Sequence, residues 1–416
     1  MRNLRHGAAT GQTRGVIEAA PPNAAPGPLA GVRVLDLSSV IMGPYATQIL
    51  GDLGADVICV EDARGDTNRI MGPGPEPGMS GVSLNLLRNK RNVCLDLKHP
   101  DGKAAFLRIA ATCDVVVTNL RPGPLQRLGL TYETLRVLRP GLVMCQAAGW
   151  PSDSDWAEKP AYDDVIQASC GIADAFTLQS GVPTLAPTLI ADKVAGLTIV
   201  YAVVSALFHR ERTGEGQLVE VPMIDALTSF TLVEHGCAAV PEPPLGPAGY
   251  PRILTADRRP FATLDGWISV LPYSAANYDD VFREGGRLDL VDAPRTRTAQ
   301  ARMVNAGDLY AAVAPIIATR SNSFWVQFCD EHDIPAGAVR TLDELVAELP
   351  VAAHPRSGDY HLIPPPVRFS ATPAGIRRPA PMLGEHGDEV LREVGLADHE
   401  IDRLVLDGAL RRMANP

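Results

Sequence analysis

Between residues 32 and 147 the sequence alternates short apolar runs, rich in β-branched residues, with longer stretches of helical period. The apolar runs predict strands at 32–37, 56–60, 93–97, 114–119 and 142–147. The stretches of helical period predict helices at 44–53, 102–111 and 132–138. Such alternation is typical of an α/β domain with a doubly wound parallel sheet, in which ligands bind beyond the carboxyl ends of the strands.

Composition excludes several classes of protein. A chain of 416 residues with 46% hydrophobic content has room for two domains with sizeable cores. Its 38 basic and 48 acidic side chains give a formal charge of -10, which argues against a nucleic-acid partner bound through a broad basic surface. The longest apolar stretch, 194–208, is shorter than the roughly 18 to 20 residues of a membrane span, so we expect a core helix there and no membrane insertion.

The seven cysteines are scattered, odd in number and without a CxxC pair, so neither a disulfide framework nor a zinc site is indicated. We therefore expect a cytoplasmic protein without a metal. Residues 1–27 are rich in Ala, Gly, Pro and Asn and predict a disordered tail. No GxGxxG, P-loop or GxSxG motif occurs, which removes support for a nucleotide cofactor or a serine hydrolase.

Asp192 stands where the loop at 187–191 meets the apolar stretch 194–208. An Asp at the start of a helix is ordinarily an N-cap, whose carboxylate accepts hydrogen bonds from free backbone N–H groups. The same position, beside Lys193, favours an ionised carboxylate, which can act as a nucleophile toward an activated acyl group. Local sequence leaves both interpretations open.

The order and spacing of eight motifs, from about residue 28 to about residue 404, resemble the class III CoA-transferases, the formyl-CoA transferase or CaiB/BaiF family. The motifs are LAGVRVLDL at 29–37, GP at 43–44, LGDLGADV at 50–57, NKR at 89–91, LDLK at 95–98, RLG at 127–129, RTGEGQ at 212–217 and LGEH at 383–386. The resemblance implies a large Rossmann-like domain built from both chain ends, 28–225 and 331–416. It also implies a smaller α+β domain at 226–330 and an intertwined homodimer in which each chain threads the other.

The resemblance implies that Asp192 is the catalytic nucleophile of an enzyme that moves coenzyme A from an acyl-CoA donor to a carboxylic acid acceptor. Aspartyl anhydride and aspartyl-CoA intermediates divide that reaction into easier steps. Tyr162 and Asp163 match a tyrosine and an acidic residue beside the reacting thioester, and Gln167 matches a further family residue. Without the resemblance, Tyr162 is typical of a half-buried anchor and Asp163 of a solvated cap.

Coenzyme A itself is the substrate that the remaining matched positions would hold. These positions are Ile41, Met42, Arg64, Leu95, Lys98, Asn119, Leu120, Arg121 and Arg127. Lys98 and Arg127 suit phosphates, and Leu95 and Leu97 would pack against the adenine, although surface salt bridges are the alternative for the two cations.

Three departures from the family pattern limit what can be carried over. Asp62 stands where the family has an adenine-binding Arg, with Arg64 as a substitute, and the family's glycine-rich lid segment is missing. Ile41 followed by Met42 stands where a Gln is expected near the acyl group, which predicts a larger or more apolar acyl group than formyl or oxalyl.

Two other functions remain open from the sequence. An α-methylacyl-CoA racemase shares the fold but uses a His-Asp pair as acid and base, whereas this chain has Tyr162-Asp163 at that position and no histidine from 100 to 208. A CoA-binding protein without turnover, in which Asp192 only caps its helix, is the third interpretation.

Overall fold

The computed structural model describes residues 16–17 and 26–413 of the chain. These residues form two compact units, each with its own hydrophobic core. The first unit contains the described residues up to Ile166, the segment Leu189–Ala226 and the described residues from Val346 to Met413. The second unit contains Gln167–Thr188 and Leu227–Leu345.

Short strands of two to six residues provide three sheets. In chain order they are β1 Val16–Ile17, β2 Arg33–Leu37, β3 Asp56–Glu61, β4 Lys90–Leu95, β5 Val115–Thr118, β6 Val143–Gln146, β7 Leu218–Glu220, β8 Phe261–Ala262, β9 Trp267–Val270, β10 Ala336–Ala338, β11 Val351–His354, β12 Gly358–His361 and β13 Leu410–Arg411.

Helices connect most of these strands. In chain order they are α1 Met42–Asp52, α2 Gly81–Leu86, α3 Pro100–Ala110, α4 Pro122–Leu128, α5 Tyr132–Leu138, α6 Asp163–Ser169, α7 Ile172–Ser180, α8 Ile190–Thr213, α9 Met223–His235, α10 Ala275–Glu284, α11 Pro294–Arg297, α12 Ala299–Val304, α13 Ala306–Ile317, α14 Asn322–Glu331, α15 Leu342–Glu348, α16 Gly387–Glu393 and α17 Asp398–Leu406. Three short 3₁₀ helices lie at Thr67–Ile70, Cys237–Ala239 and Leu288–Leu290.

The main sheet of the first unit has seven strands in the order β13-β4-β3-β2-β5-β6-β7, all parallel except the edge strand β13. From β2 the chain first builds outward through β3 and β4, and then returns to the other side of β2 to add β5, β6 and β7. The strand order therefore reverses between β2 and β5, where a doubly wound sheet opens its ligand crevice. This sheet confirms the predicted α/β fold.

The core of the first unit uses residues from both ends of the chain. Strands β2 to β5 are buried along almost their whole length, as expected for a parallel sheet covered on both faces. Phe106 and Ile109 of α3 share one apolar cluster with Val390 of α16 and Ile401 of α17. The carboxyl-terminal helices therefore complete a domain that the amino-terminal half begins.

Helix α8 is long and apolar enough, by length and composition alone, to cross a membrane. Core helices of soluble proteins meet the same criterion, and α8 buries one face against α1. At Gly196 a Cβ atom would lie 2.9 Å from the Met42 carbonyl oxygen and 3.0 Å from the Tyr45 ring, so glycine is what permits this approach. The opposite face exposes Tyr201 and Phe208. The expectation of a buried core helix is therefore correct for one face only.

The second unit is an α+β structure. Its antiparallel sheet has the order β10-β9-β8, and α10, α13 and α14 pack against it around Trp325. The Trp325 indole is fully buried and donates to the Ile317 carbonyl at 2.7 Å, so its polar atom is satisfied inside the core.

The unit boundaries differ from the predicted domain boundaries of 28–225, 226–330 and 331–416 in two segments. Residues 331–345 fall in the second unit because β10 pairs with β9 across Ala336 and Val270. Residues 167–188 fall there as well, with Gly171 lying against the Thr231 side chain. Neither long-range pairing is visible in the local sequence pattern.

The predicted disordered tail, residues 1–27, lies mostly outside the described residues. Within it, Val16–Ile17 form β1, which pairs in parallel with Val351 and Ala352 of β11. Gly27 is also ordered, and a Cβ atom there would lie only 2.2 Å from the Leu53 carbonyl oxygen. Backbone pairing and close packing hold these positions, and for the rest of the segment the predicted disorder stays a prediction.

Candidate active site

The carboxylate of Asp192 lies in the first turn of α8, and Asp163 caps that helix. Ile190 is the first residue of α8 and Leu189 its N-cap residue, so Asp192 is not the N-cap. The Asp163 side chain, only 3% exposed, accepts hydrogen bonds from the backbone N–H groups of Ala191 at 2.7 Å and Asp192 at 3.1 Å. The capping role considered for Asp192 therefore belongs to Asp163, which is a buried cap instead of a solvated one.

Two effects raise the pKa of Asp192 to about 6. The larger one is burial of the carboxyl, and the smaller one is the nearby Asp163 carboxylate. The helix end and Lys193 favour the ionised carboxylate, but burial and the like charge of Asp163 outweigh them. No hydrogen-bond donor to the Asp192 carboxylate is found among the residues that the structure describes. At neutral pH Asp192 is thus an ionised carboxylate that is more basic than usual, which favours nucleophilic attack.

Helix α6 carries the second predicted constellation. Tyr162 precedes this helix, its carbonyl accepting from the Ile166 N–H at 3.1 Å, and its side chain is 67% exposed. Gln167 is fully buried, accepts from the Ala186 N–H at 2.8 Å and donates to the Thr188 carbonyl at 3.3 Å. Gln167 therefore fixes the chain just before α8 begins, while Asp163 fixes the first turn itself.

Side chains from β2 and from the end of β5 fix the loop that follows β2, at the point where the strand order reverses. The Asp36 carboxylate accepts from the Ser38 N–H at 3.1 Å and from the Ser38 hydroxyl. The Asn119 amide, at the end of β5, accepts from the Ser39 N–H at 3.0 Å and donates to the Ser39 carbonyl at 2.8 Å. The loop backbone is therefore tied to both central strands before α1 starts.

Val40 of the same loop has a φ of 69°, a left-handed conformation that is costly for a β-branched residue. Both oxygens of the Asp66 carboxylate lie 3.0 Å from the Val40 N–H, and the Asn68 amide donates to the Val40 carbonyl at 3.3 Å. Burial is the largest cause that raises the pKa of Asp66 to about 6. A strained residue held by several partners at the end of a strand is typical of a functional loop.

A buried ion pair shares the Asp36 carboxylate with this loop. The Lys90 ammonium, with a side chain that is 0% exposed, contacts Asp36 at 3.0 Å, the Thr47 hydroxyl at 2.8 Å and the Pro44 carbonyl at 2.9 Å. All three ammonium protons thus have acceptors, which a buried lysine requires. This cluster links β2 and β4 to the first turn of α1.

The residues that the resemblance assigns to coenzyme A occupy different environments. The Asn119 amide forms two hydrogen bonds with the backbone of Ser39, so its side chain positions the loop and is not available to a ligand. The Leu95 side chain is 1% exposed and belongs to the central core. Packing of Leu95 against an adenine is therefore excluded in this structure, and only the half-buried Leu97 keeps that option.

Three of the candidate cations, Arg64, Lys98 and Arg121, shortly follow the carboxyl ends of β3, β4 and β5, whereas Arg127 lies in the last turn of α4. Arg64, with a side chain that is 89% exposed, pairs with Asp62 at 2.6 Å, and this guanidinium is the main reason why the pKa of Asp62 lies below its usual value. Lys98 and Arg127 are exposed, and Arg121 donates to the Glu158 carbonyl. Leu120 is half-buried against the core.

Ile41 and Met42 are both buried where the loop passes into α1. Ile41 lines a largely apolar cavity of about 500 Å³ in the first unit, together with Tyr45, Leu197 and Lys193. Lys193 follows Asp192 directly, so the cavity borders the start of α8.

The sequence pattern gives a weak signal for one further part of this site and none for another. Asp66 stands two residues before Asn68, a spacing typical of a local turn, and that weak signal alone could have indicated a cap. Nothing in the sequence indicates the left-handed conformation of Val40, since valine avoids it. Among the described residues, no cluster of three or more His, Cys, Asp or Glu side chains could hold a metal ion.

Comparison with known proteins places this geometry in context. Residues 29–387 match the model of CoA-transferase family III. The chain is 31% identical to the succinate–glutarate CoA-transferase of Agrobacterium fabrum, over 90% of this chain and 97% of that protein. It is 30% identical to the probable fatty acyl-CoA transferase Rv3272 of Mycobacterium tuberculosis, over 86% of this chain and 96% of that protein.

A solved structure agrees with these sequence matches. The crystal structure of a CaiB/BaiF family protein from Brucella suis superposes with a TM-score of 0.75 at 27% identity. The alignment covers 89% of this chain and all of the other, so the resemblance extends through both units.

Proposed function

The chain belongs to CoA-transferase family III and is a CoA-transferase, and from that premise we propose that Asp192 carries the acyl group and then coenzyme A in turn. The observation that carries this proposal is the position of Asp192 in the first turn of α8, largely buried, without a hydrogen-bond donor among the described residues and with a pKa of about 6. A carboxylate of this kind is ionised at neutral pH and poorly solvated, as a nucleophile needs to be.

In the first half of the reaction, an Asp192 oxygen attacks the carbonyl carbon of the donor acyl-CoA. The carbon–sulfur bond breaks, coenzyme A leaves as a thiolate, and a mixed anhydride between the acyl group and Asp192 remains. The thiolate then attacks the side-chain carbonyl carbon of Asp192, and the donor acid leaves as its carboxylate. The product is an aspartyl-CoA thioester on Asp192.

The second half repeats these steps in reverse with the acceptor acid. Its carboxylate attacks the aspartyl carbonyl carbon, and the thiolate leaves again from a new anhydride. The thiolate then attacks the acceptor's acyl carbon, which gives the new acyl-CoA and restores the Asp192 carboxylate. One thioester replaces another, so the reaction needs neither ATP nor net proton transfer.

Asp163 and Gln167 act on this chemistry through position. Asp163 holds the N–H groups of Ala191 and Asp192, so the nucleophile cannot move away from the start of α8. Its charge also raises the basicity of Asp192. Tyr162 is exposed one residue before Asp163, and we propose that its hydroxyl contacts the bound thioester.

For coenzyme A, the proposed contacts are the exposed cations Arg64, Lys98 and Arg127, together with the backbone of residues 119–121. Guanidinium and ammonium groups suit phosphates, and Arg64 would exchange its surface pair with Asp62 for such a contact. Leu97 replaces Leu95 as the apolar contact of the adenine.

The proposed donor carries an acyl group that is larger or more apolar than formyl or oxalyl. The apolar cavity of about 500 Å³ beside Ile41 and Lys193 supports this, because it borders the chain next to Asp192. The names of the relatives include both dicarboxylic and fatty acyl substrates, so they do not decide the matter. A kinetic preference for formyl-CoA over longer apolar acyl-CoAs would contradict this assignment.

Exchange of coenzyme A between acids, followed by mass spectrometry, tests the proposed nucleophile. We expect Asp192→Asn to abolish exchange and Asp164→Asn, an exposed neighbour of the cap on α6, to leave it nearly unchanged. Exchange by Asp192→Asn at the unaltered rate would refute the role of Asp192. Deuterium entering the α-carbon of a 2-methylacyl-CoA without an acceptor acid would instead indicate the racemase.

We also propose that the protein forms an intertwined homodimer and that it is located in the cytoplasm. The exposed apolar face of α8, with Tyr201 and Phe208, supports burial against a second copy of the chain. All seven cysteines are free thiols and six of them are buried, which suits a reducing compartment. Sedimentation at micromolar concentration that gives only a monomer would contradict the dimer.

A further inference from the structure

The second unit contains a polar aromatic cavity of about 230 Å³ that has no part in the proposed transfer chemistry. Its walls combine two arginines, Arg252 and Arg302, with phenol side chains, which include those of Tyr278 and Tyr310. Tyr278 and Tyr310 are both buried, so their hydroxyl groups have little access to bulk water and form hydrogen bonds mainly within the cavity. The cavity is therefore built from donors of hydrogen bonds.

Positive charge in this cavity is not neutralised by the protein. No aspartate or glutamate lines the cavity, and in the part of the chain that the structure describes neither Arg252 nor Arg302 forms a salt bridge. The guanidinium of Arg252 instead lies 5.5 Å from the centre of the Tyr273 ring, which orients it by a cation–π contact. Arg302 donates one N–H to the Thr296 carbonyl at 2.7 Å, and its other guanidinium N–H groups remain available to a ligand.

The phenol of Tyr278 stays protonated in neutral solution. Burial is the largest cause that raises the pKa of Tyr278 to about 12, followed by the neighbouring Tyr310. The positive charges of Arg252 and Arg302 lower the pKa of the Tyr278 hydroxyl, so both guanidinium groups lie near it. The Arg252 side chain also donates hydrogen bonds to the hydroxyl oxygens of Tyr310 and Tyr250, which raise the pKa of Arg252. An anion in this cavity would therefore meet guanidinium and phenol donors together.

We propose that this cavity of the second unit binds a small dicarboxylate, with one carboxylate on Arg252 and the other on Arg302. Two separate guanidinium groups, each suited to bidentate binding of a carboxylate, favour a ligand with an acid group at each end. The volume lies below the roughly 300–1,000 Å³ of pockets for drug-sized ligands, which restricts the ligand to a short chain of about four to six carbons. Arg252 is half-buried against Tyr273, so its guanidinium faces a partly enclosed site instead of open solvent.

Isothermal titration of the full-length protein with glutarate tests this proposal. We expect saturable binding that weakens about tenfold or more in Arg252→Gln and in Arg302→Gln, because each change removes a charge-assisted contact. Tyr310→Phe should weaken it by about two- to tenfold. Arg258→Gln is the matched control, since Arg258 is exposed in the same segment, and its affinity should stay within about twofold of the unaltered protein.

Further titrations distinguish a dicarboxylate site from nonspecific binding of anions. Butyrate and sulfate, which offer one carboxylate or none, should bind at least about tenfold more weakly than glutarate. Arg252→Lys should recover part of the affinity if charge matters, and circular dichroism checks that each variant is folded. Asp192→Asn should bind glutarate normally, so failure of the transferase proposal leaves this one intact. Absence of saturable glutarate binding, or equal affinity in Arg252→Gln and Arg258→Gln, would overturn it.

Discussion

The most informative prediction concerns the conflict between activity and stability at Asp192. The pKa of this carboxyl rises from 3.8 to about 6 on folding, a shift of about two units. At about 1.36 kcal/mol per unit, the ionised carboxylate costs the folded state on the order of 3 kcal/mol above pH 6. Asp192→Asn removes that cost, so we expect the inactive variant to be more stable than the active protein, by about 2 to 3 kcal/mol at pH 8.

The pH dependence gives this prediction its sign. A carboxyl whose pKa is higher in the folded state favours folding while it is protonated, and that contribution is lost as pH rises through the folded pKa. The stability advantage of Asp192→Asn should therefore be near zero at pH 4, grow between pH 4 and 6, and stay constant above pH 6. Urea unfolding at several pH values and one fixed protein concentration measures it.

Asp164→Asn is the matched control, because it removes the same charge from an exposed neighbouring position. We expect it to change the free energy of unfolding by less than about 0.5 kcal/mol at every pH. An Asp192→Asn variant that is equally stable or less stable at pH 8, or whose difference does not vary between pH 4 and 6, would refute the view of Asp192 as a desolvated carboxylate.

Three other predictions follow from the same site. The turnover rate should fall on acidification with a midpoint near pH 6, and Asp163→Asn should move that midpoint to lower pH because it removes the charge that raises the pKa of Asp192; a midpoint that does not move would contradict this. Lys90→Met should cost about 3 to 5 kcal/mol in urea unfolding, since it leaves the Asp36 carboxylate buried without its cation, and a loss below about 1 kcal/mol would be inconsistent with the pair. Val40→Gly should not destabilise the protein by more than about 1 kcal/mol, because relief of the left-handed strain offsets the lost side chain; a larger loss in thermal or urea unfolding would show that strain is small there.

The alternation of strands and helices was predictable because each element of the large unit buries a regular pattern of apolar side chains. The exact bounds were not. Strand β4 was predicted at 93–97 but spans Lys90–Leu95, since three polar residues, Lys90, Arg91 and Asn92, are buried at its start. Their partners Asp36, Asp56 and Glu61 lie 31 to 54 residues away in the chain, and no local pattern reports such pairs.

The candidate site follows the same division. The place of Asp192 at the start of a long helix was predictable from a loop followed by an apolar stretch. Its cap was not, because the capping carboxylate of Asp163 comes from another helix. The pKa of Asp192 depends on burial and on the nearby Asp163, so the direction of its shift could be determined only from the folded structure.

Chemical trapping tests the central claim most directly. Incubation with an acyl-CoA and hydroxylamine should convert the activated aspartyl carbonyl into a hydroxamate, with release of coenzyme A or the acid. Peptide mass spectrometry is expected to find this modification on Asp192 of the active protein and to find none in Asp192→Asn. A hydroxamate on a different residue, or none at all while coenzyme A continues to exchange between acids, would contradict the account.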